Sequence, residues 1–474
     1  MLKASQYASA IALSTVLAPL AVAPQTAGAQ VFDPDLYEGG KARVYLSAQL
    51  RSLSEAVAAT SCRLHAGVEP DAANADLQMI RSDFDTILNG LKEGNTALGI
   101  PTAENNARNL NVLEKVNQAW SPIDEATGNM INGSGSGEDK QIVSENYRDL
   151  FDLTVVLAAD ISGAYSDPQE LLQSDATVLN FAARQQTFVN RMTRAVCGLA
   201  SGAKDMGDVD ELRETVDLFE RSLVALRDGF PDAGINPPPN DAVKNSLSAA
   251  YDVWTARKGV FDAALAGEEV TTDMVADADA LASDLSVDIK NTITLYMIAV
   301  PGQEGVYRVP LTAYADSELA QWLANPALID AINAQNVAHT DLTEDQIIAL
   351  DQTWRAEADA GGGPLITELL GGEVSAWLRD QQNATAGLVT EVFVMDNKGL
   401  NVAQSVETSD YWQGDEAKWQ QTYGTEDGGL HISDVEFDDS TGFYQTQASM
   451  PIIDPTTNEP IGAITFGINI QSLM

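Results

Sequence analysis

Apolar positions recur at helical spacing through the first two thirds of the chain and at alternate positions in the last third. Leu46, Leu50, Leu53, Val57, Ser61 and Leu64 fall at intervals of three and four, which predicts a helix with a seam suited to antiparallel bundle packing. The same slots further along hold Phe181, Gln185, Phe188, Met192, Val196 and Leu199. Sliding the chain by 135 residues places Cys62 on Cys197, Gly67 on Gly202, Phe84 on Phe219, Gly94 on Gly229 and Ile100 on Ile235. With a one-residue gap, Leu113 then meets Leu247 and Trp120 meets Trp254. A period this long predicts two duplicated domains, each a four-helix bundle, at 37–166 and 170–300. The second helices are expected near 73–92 and 209–227, each stopped by a glycine, Gly94 or Gly229. The third helices carry Leu113 to Trp120 and Leu247 to Trp254, and the fourth run near 139–164 and 272–299. Asp167-Pro168 breaks the chain between the repeats.

After Pro301 the pattern changes. Helices are expected over 315–339 (with Pro326 a break), over 343–358 with Thr343 as cap, and over 365–383. Period-two segments follow at 390–395, 400–405, 429–436, 443–453 and 461–470, with a short helix at 415–423. Asp396-Asn397-Lys398-Gly399 and Asp454 to Pro460 make hairpin turns. The expected fold is therefore multidomain, α plus α+β. Two four-helix-bundle repeats precede a PAS-like antiparallel, five-stranded sheet domain at 310–474 with long N-terminal helices.

The first 29 residues differ from all of this. They carry one charge, Lys3, an Ala-rich apolar run from Tyr7 to Ala23, and Ala27-Gly28-Ala29 as a small-x-small cleavage pattern. They are expected to be a cleaved signal peptide, 1–29, with an uncleaved anchor as the alternative. No other stretch is long and apolar enough to span a bilayer. The expectation is a soluble periplasmic or secreted protein. Asp and Glu number 69 against 27 Lys and Arg, a formal charge of −42, which opposes binding to nucleic acid or anionic membranes. Two cysteines and three histidines exclude a multi-cysteine zinc site and a disulfide-dense scaffold. Cys62 and Cys197 read either as small buried helix residues or as a disulfide linking the repeats or two chains. No phosphate-binding loop, zinc-protease helix or nucleophile elbow occurs, so no catalytic residue, metal or cofactor is expected. Asp434, Glu436, Asp438 and Asp439 lack the spacing of a calcium loop and read as a solvated strand end.

The helical repeats, over about residues 37–300, resemble the PilJ-type domain of type IV pilus chemoreceptors, related to the nitrate/nitrite-sensing bundles of sensor kinases. The family's first-helix motif runs in outline Arg-Gln-Arg-Met-Leu-Ser-Gln-Arg-Met. Repeat two, from Arg184 to Met192, keeps its first and last arginines, Arg184 and Arg191. Repeat one, from Gln49 to Val57, keeps only the middle one, Arg51. The resemblance implies a role for these arginines in binding an anion at a dimer seam, for which a guanidinium offers planar paired donors. The alternative is that they pair with carboxylates.

Residues 310–474 resemble the Cache family of extracellular sensors. The carrying segments are Val392 to Gly399, Thr408 to Glu416, and Ser449 to Asp454 followed by Ile461-Gly462-Ala463. That resemblance implies a small ligand between the sheet and a roofing loop and helix, which here carry Asp410, Tyr411, Trp412, Asp415, Lys418, Trp419 and Tyr423. The alternative is that the tryptophans are core and the charges solvated. Together the resemblances imply an exported sensory protein that binds a small molecule and passes a signal by contact to a membrane receptor or sensor kinase, with a homodimer as a further partner. Two other functions stay open. One is a structural or adhesive surface protein, the other a solute-delivery protein.

Overall fold

The computed structural model describes residues 37–166, 173–299, 305–385, 387–425, 428–438 and 443–470. The expected signal peptide and the Asp167-Pro168 break lie outside the described residues. The first four helices are α1 (Gly40–Ala66), α2 (Pro70–Glu93), α3 (Ala107–Ile131) and α4 (Gly137–Ala164). Each packs on the next, and α4 closes back on α1. The second set is α5 (Gln173–Ser201), α6 (Val209–Asp228), α7 (Asp241–Arg257), α8 (Gly259–Leu265) and α9 (Thr272–Ile298). It closes the same way, α5 against α6 and α9, and α7 against both of those. The expected third helix of repeat two is thus two helices, separated at Lys258, whose Nζ reaches Glu220 Oε1 at 2.6 Å.

Matching local features recur in the two sets. Trp120 stacks on Phe84 with ring centroids 4.1 Å apart, and its indole N–H donates to Asp85 at 2.7 Å. Trp254 lies 4.7 Å from Phe219 and donates to Glu220 at 3.0 Å. Gly94 and Gly229 end α2 and α6 with φ of +85° and +84°. A Cβ there would meet the following loop, Thr102 C at 2.9 Å or Pro237 Cγ at 2.8 Å, so only glycine fits both the angle and the space.

The two bundles meet through their first helices. Ser52 touches Asn190, Glu55 touches Arg191 and Arg194, and Cys62 touches Cys197, so partners rise together and α1 and α5 run parallel. Because α1 is enclosed by α2, α4 and α5, nearly its whole surface is buried, polar residues included. The expected one-sided seam falls short here: a helix packed on several sides buries every face. Cys62 and Cys197 form a disulfide with Cα atoms 6.2 Å apart, which settles the open choice between free and bonded cysteines.

The last third begins with α10 (Arg308–Ser317), a 3₁₀ stretch (Leu319–Ala324) and α11 (Pro326–Ala338) in place of one helix over 315–339. Pro326 starts α11 rather than breaking it, since the first helical turn needs no N–H from it. Next come α12 (Glu344–Asp359), opened by a Thr343–Gln346 capping box, then α13 (Pro364–Leu370) and α14 (Glu373–Ala384). Gly371-Gly372 divides what was expected to be one helix over 365–383. The strands are β1 (Val389–Met395), β2 (Asn401–Gln404), β3 (His431–Ile432), β4 (Glu436–Asp438), β5 (Phe443–Ile453) and β6 (Pro460–Asn469). They form one antiparallel sheet in the order β2-β1-β6-β5-β3, with β4 also paired to β5. The described sheet has six strands rather than five, because the segment expected over 429–436 splits into β3 and β4. Val392, Val394, Ile464 and Phe466 point into the core shared with the helices, while Phe393, Met395 and Ala463 point to the other face. On that face lies a roof built from 405–425, whose helix is only α15 (Ala417–Gln420).

Candidate functional site

Two places in the molecule bring together residues singled out from the sequence. At the seam, Arg51 is 3% exposed. Its Nε reaches Thr187 Oγ1 at 3.4 Å and its Nη1 reaches Asn180 Oδ1 at 3.3 Å, both weak neutral contacts. Its Nη2 is buried with no hydrogen-bond partner among the described residues. Burial, followed by repulsion from Arg184 and Arg191, pushes the Arg51 guanidinium down to about 9. The two arginines from repeat two are thus near enough to repel the one from repeat one. Arg184 is exposed at the rim over the Phe181 ring, and partial burial lowers it too. Arg191 pairs with Glu55 at 2.8 Å and lies over Phe151. A buried cation without a counter-ion is costly, and an anion beside Nη2 removes that cost.

Two neighbouring buried arginines have acid partners. Arg194, wholly buried, binds Glu55 at 2.7 Å, Glu211 at 2.6 Å and the Met206 carbonyl. Arg63 binds Asp279 at 2.7 Å and Asp76 at 3.1 Å. Asp279 is nevertheless pushed up to about 6, since burial outweighs the pull of Arg63, with Asp76 and Glu69 adding repulsion. Sequence patterning missed Glu55, Arg194 and Asp279. The one signal for them is an acid and an arginine standing on otherwise apolar faces.

In the sheet domain, a cavity of about 410 Å³ opens between the roof and the β5 edge. Glu416, Lys418, His431, Glu436 and Asp438 line it, with Gln445 and Gln447 below. Gln447 donates to Glu391 at 3.0 Å, and burial raises that carboxyl. Of the seven roof residues expected to touch a ligand, Lys418 lines this cavity; it pairs with Glu416 at 2.9 Å and lies over the Phe393 ring. The other six stand outside its lining, and five of them hold the roof in place. Trp412 and Trp419 donate their indole N–H groups to the carbonyls of Lys398 and Asp396, at 2.9 and 3.0 Å. Tyr411 is buried against Trp354, and its backbone N–H donates to Asp351 at 2.9 Å. Asp410 binds Arg355 at 2.9 Å and accepts from Gln413, while Tyr423 packs on Trp419. Asp415 is exposed. The strand-turn segment at 396–399 is also structural: Asp396 accepts from the N–H groups of Lys398 and Leu400 and meets His339 at 2.7 Å. Among the described residues no three acid, histidine or cysteine groups gather to hold a metal ion, and no helix is long and apolar enough to cross a membrane.

Residues 171–279 match a family described as PilJ, "Type IV pili methyl-accepting chemotaxis transducer N-term". The matched span runs from just before α5 into α9, and so covers most of the second bundle. No curated protein matches the chain. Among solved structures, the chain is similar to the sensor domain of the V. cholerae histidine kinase DctB, at 14% identity and a TM-score of 0.18. That alignment covers 33% of this chain and 58% of the other.

Proposed function

We propose that the chain is an exported sensory protein of the signal-transduction and chemotaxis type, in which a small anion at the α1–α5 seam is a stimulus. Its two bundles at 37–166 and 170–300 are read as PilJ-like repeats, and 310–474 as a Cache-like domain. The observation that carries this reading is the buried, unpartnered Nη2 of Arg51, with Arg184 and Arg191 near enough to repel it. An anion held there touches both repeats, and any difference in its affinity for two seam arrangements shifts their populations. The match of residues 171–279 to a chemotaxis transducer family supports the signalling role. The signal would pass by contact to a membrane receptor or sensor kinase.

The test is calorimetric titration of the full chain with nitrate, nitrite, formate and acetate at constant ionic strength. Saturable binding of one of them is expected, weakened about tenfold or more in Arg51→Gln, which removes a charge-assisted donor. Binding that survives unchanged in Arg51→Gln and in Arg184→Gln would place the anion elsewhere and end this reading.

A second stimulus site is favoured by the 410 Å³ cavity under the roof, within the usual size range for small-molecule pockets. Its acidic rim and Lys418 suit a ligand carrying an amine and a carboxylate. Amino-acid titration of wild type and Lys418→Ala tests it.

A further inference from the structure

A second cavity, of about 160 Å³, lies against the disulfide at the opposite end of the seam from the α1 N-terminus. It is walled by Cys62 and Ser61 of α1, by Met130 at the end of α3, by Val143 of α4, and by Ala203 and Met206 beyond α5. Elements of both bundles therefore close around one space. That volume is far above the roughly 10–15 Å³ a single water occupies, and below the ~300 Å³ at which drug-sized pockets begin.

Met130, Val143, Ala203 and Met206 supply apolar wall, and Ser61, His65, Lys140, Gln141, Ser144 and Ser201 supply the polar groups, with Lys140 Nζ 2.6 Å from His65 Nδ1. Burial and the lysine charge both lower His65, and the neutral ring's Nδ1 accepts a hydrogen bond from the ammonium. Among the described residues no carboxylate pairs with Lys140, in a chain with a formal charge of −42 where the nearby Arg63, Arg191 and Arg194 each have an acid. Ser61, one helical turn before His65 on the same face, is 5% exposed, and its Oγ has no hydrogen-bond partner. A buried hydroxyl left unpaired is uncommon, since the preceding turn's carbonyl is usually within reach.

We infer that this cavity is a binding site for a short-chain monocarboxylate, its carboxylate held by Lys140 and the Ser61 hydroxyl and its alkyl tail lying among Met130, Val143, Ala203 and Met206. The class follows from the arrangement: one cation without an acid partner among the described residues and one free hydroxyl, while the other polar side chains of the lining, Gln141, Ser144 and Ser201, already bond to Glu145 and to the carbonyls of Gln141 and Cys197. A dicarboxylate would bury its second charge against methionines, and an amine would meet Lys140 with like charge. The inference is independent of the anion at Arg51, because no residue is shared.

The test is calorimetric titration of the full chain with sodium hexanoate, sodium succinate and hexylamine at one ionic strength and pH 7.5. Hexanoate is expected to bind saturably, while succinate and hexylamine do not compete with it. Lys140→Met should weaken hexanoate about tenfold or more and Ser61→Ala several-fold, as loss of a charged and a neutral hydrogen bond predicts. Arg51→Gln should leave hexanoate affinity unchanged. Lys140 is half-buried at the rim of the cavity, and far-ultraviolet circular dichroism confirms that each variant is folded. Three results overturn the inference: no hexanoate binding at millimolar concentration, equal affinity in folded Lys140→Met, or loss of binding in Arg51→Gln alone.

Discussion

The two helical repeats share their outer cores and differ where they touch. Trp120 with Asp85 and Trp254 with Glu220 occupy matching places, as do the glycine-ended second helices. At the seam the matching positions are unlike. Glu55 stands opposite the slot of Asn190, Arg51 matches Gln186, Arg63 matches Gly198, and Arg194 matches Ala59. Outer positions need only fill a bundle, so either copy can use the same residues. Seam positions must fit a partner in the other copy, and two identical faces would set like charges against each other. Repeat one therefore supplies Glu55 where repeat two supplies Arg191 and Arg194. The two halves are complementary where they meet, as the two sides of a heterodimer are.

Five variants probe that contrast. The largest effect is expected for Glu55→Ala, which leaves wholly buried Arg194 short of one of its acids and Arg191 without any among the described residues. A loss of about 3–5 kcal/mol in denaturant unfolding is expected, against less than ~1 kcal/mol for the neutral counterpart Asn190→Ala. Similar losses in both would show that the halves are not specialised. Next, Cys62→Ser combined with Cys197→Ser should cost about 2–4 kcal/mol while helical content is retained, since the bond chiefly restrains the unfolded chain. Trp120→Phe and Trp254→Phe should each cost about 1–2 kcal/mol, by loss of a hydrogen bond to a carboxylate. Here the two repeats should agree, and a marked difference would break the claim of shared outer cores.

The last effect concerns pH. Asp279, facing Arg63, Asp76 and Glu69, titrates at about 6 in the folded chain, against about 3.9 unfolded. A folded value above the unfolded one means that its protonated form adds stability, fully below about pH 4, and that this share is lost as pH rises through about 6. Urea midpoints of wild type and Asp279→Asn, compared from pH 4 to 7, should differ by a flatter profile in the variant. A steeper one would reverse the assigned direction.

Much of this architecture was legible in the chain. Leu77, Phe84, Leu88 and Leu91 recur 135 residues on because each copy fills its own bundle, and a local apolar period records that directly. Strand alternation at 392–395 and 463–466 marked the sheet for the same reason. What escaped was pairing between distant faces. Nothing near Arg51 or Cys62 says which helix lies opposite, because α1 carries arginines, serines and a glutamate on surfaces that only a second bundle covers. The roof misled in another way. Trp412, Trp419 and Tyr411 look like the walls of a pocket, yet each tryptophan spends its indole N–H on a backbone carbonyl, and Tyr411 stacks on Trp354 while its backbone N–H bonds Asp351. Composition alone does not separate an aromatic that shapes a wall from one that fastens it.

The bond between Cys62 and Cys197 spans 135 residues of sequence while joining two parallel helices. It also sets the path of mechanical load. Tension applied between the start of α1 and the chain beyond α5 passes through the sulfur atoms and bypasses everything between them. Roughly 450 Å of extensible contour is withdrawn from any pull on the ends. Under load α2, α3, α4 and all of α5 before Cys197 belong to a closed ring beside the line of force, which runs through α1 as far as Cys62 and leaves by the last turn of α5.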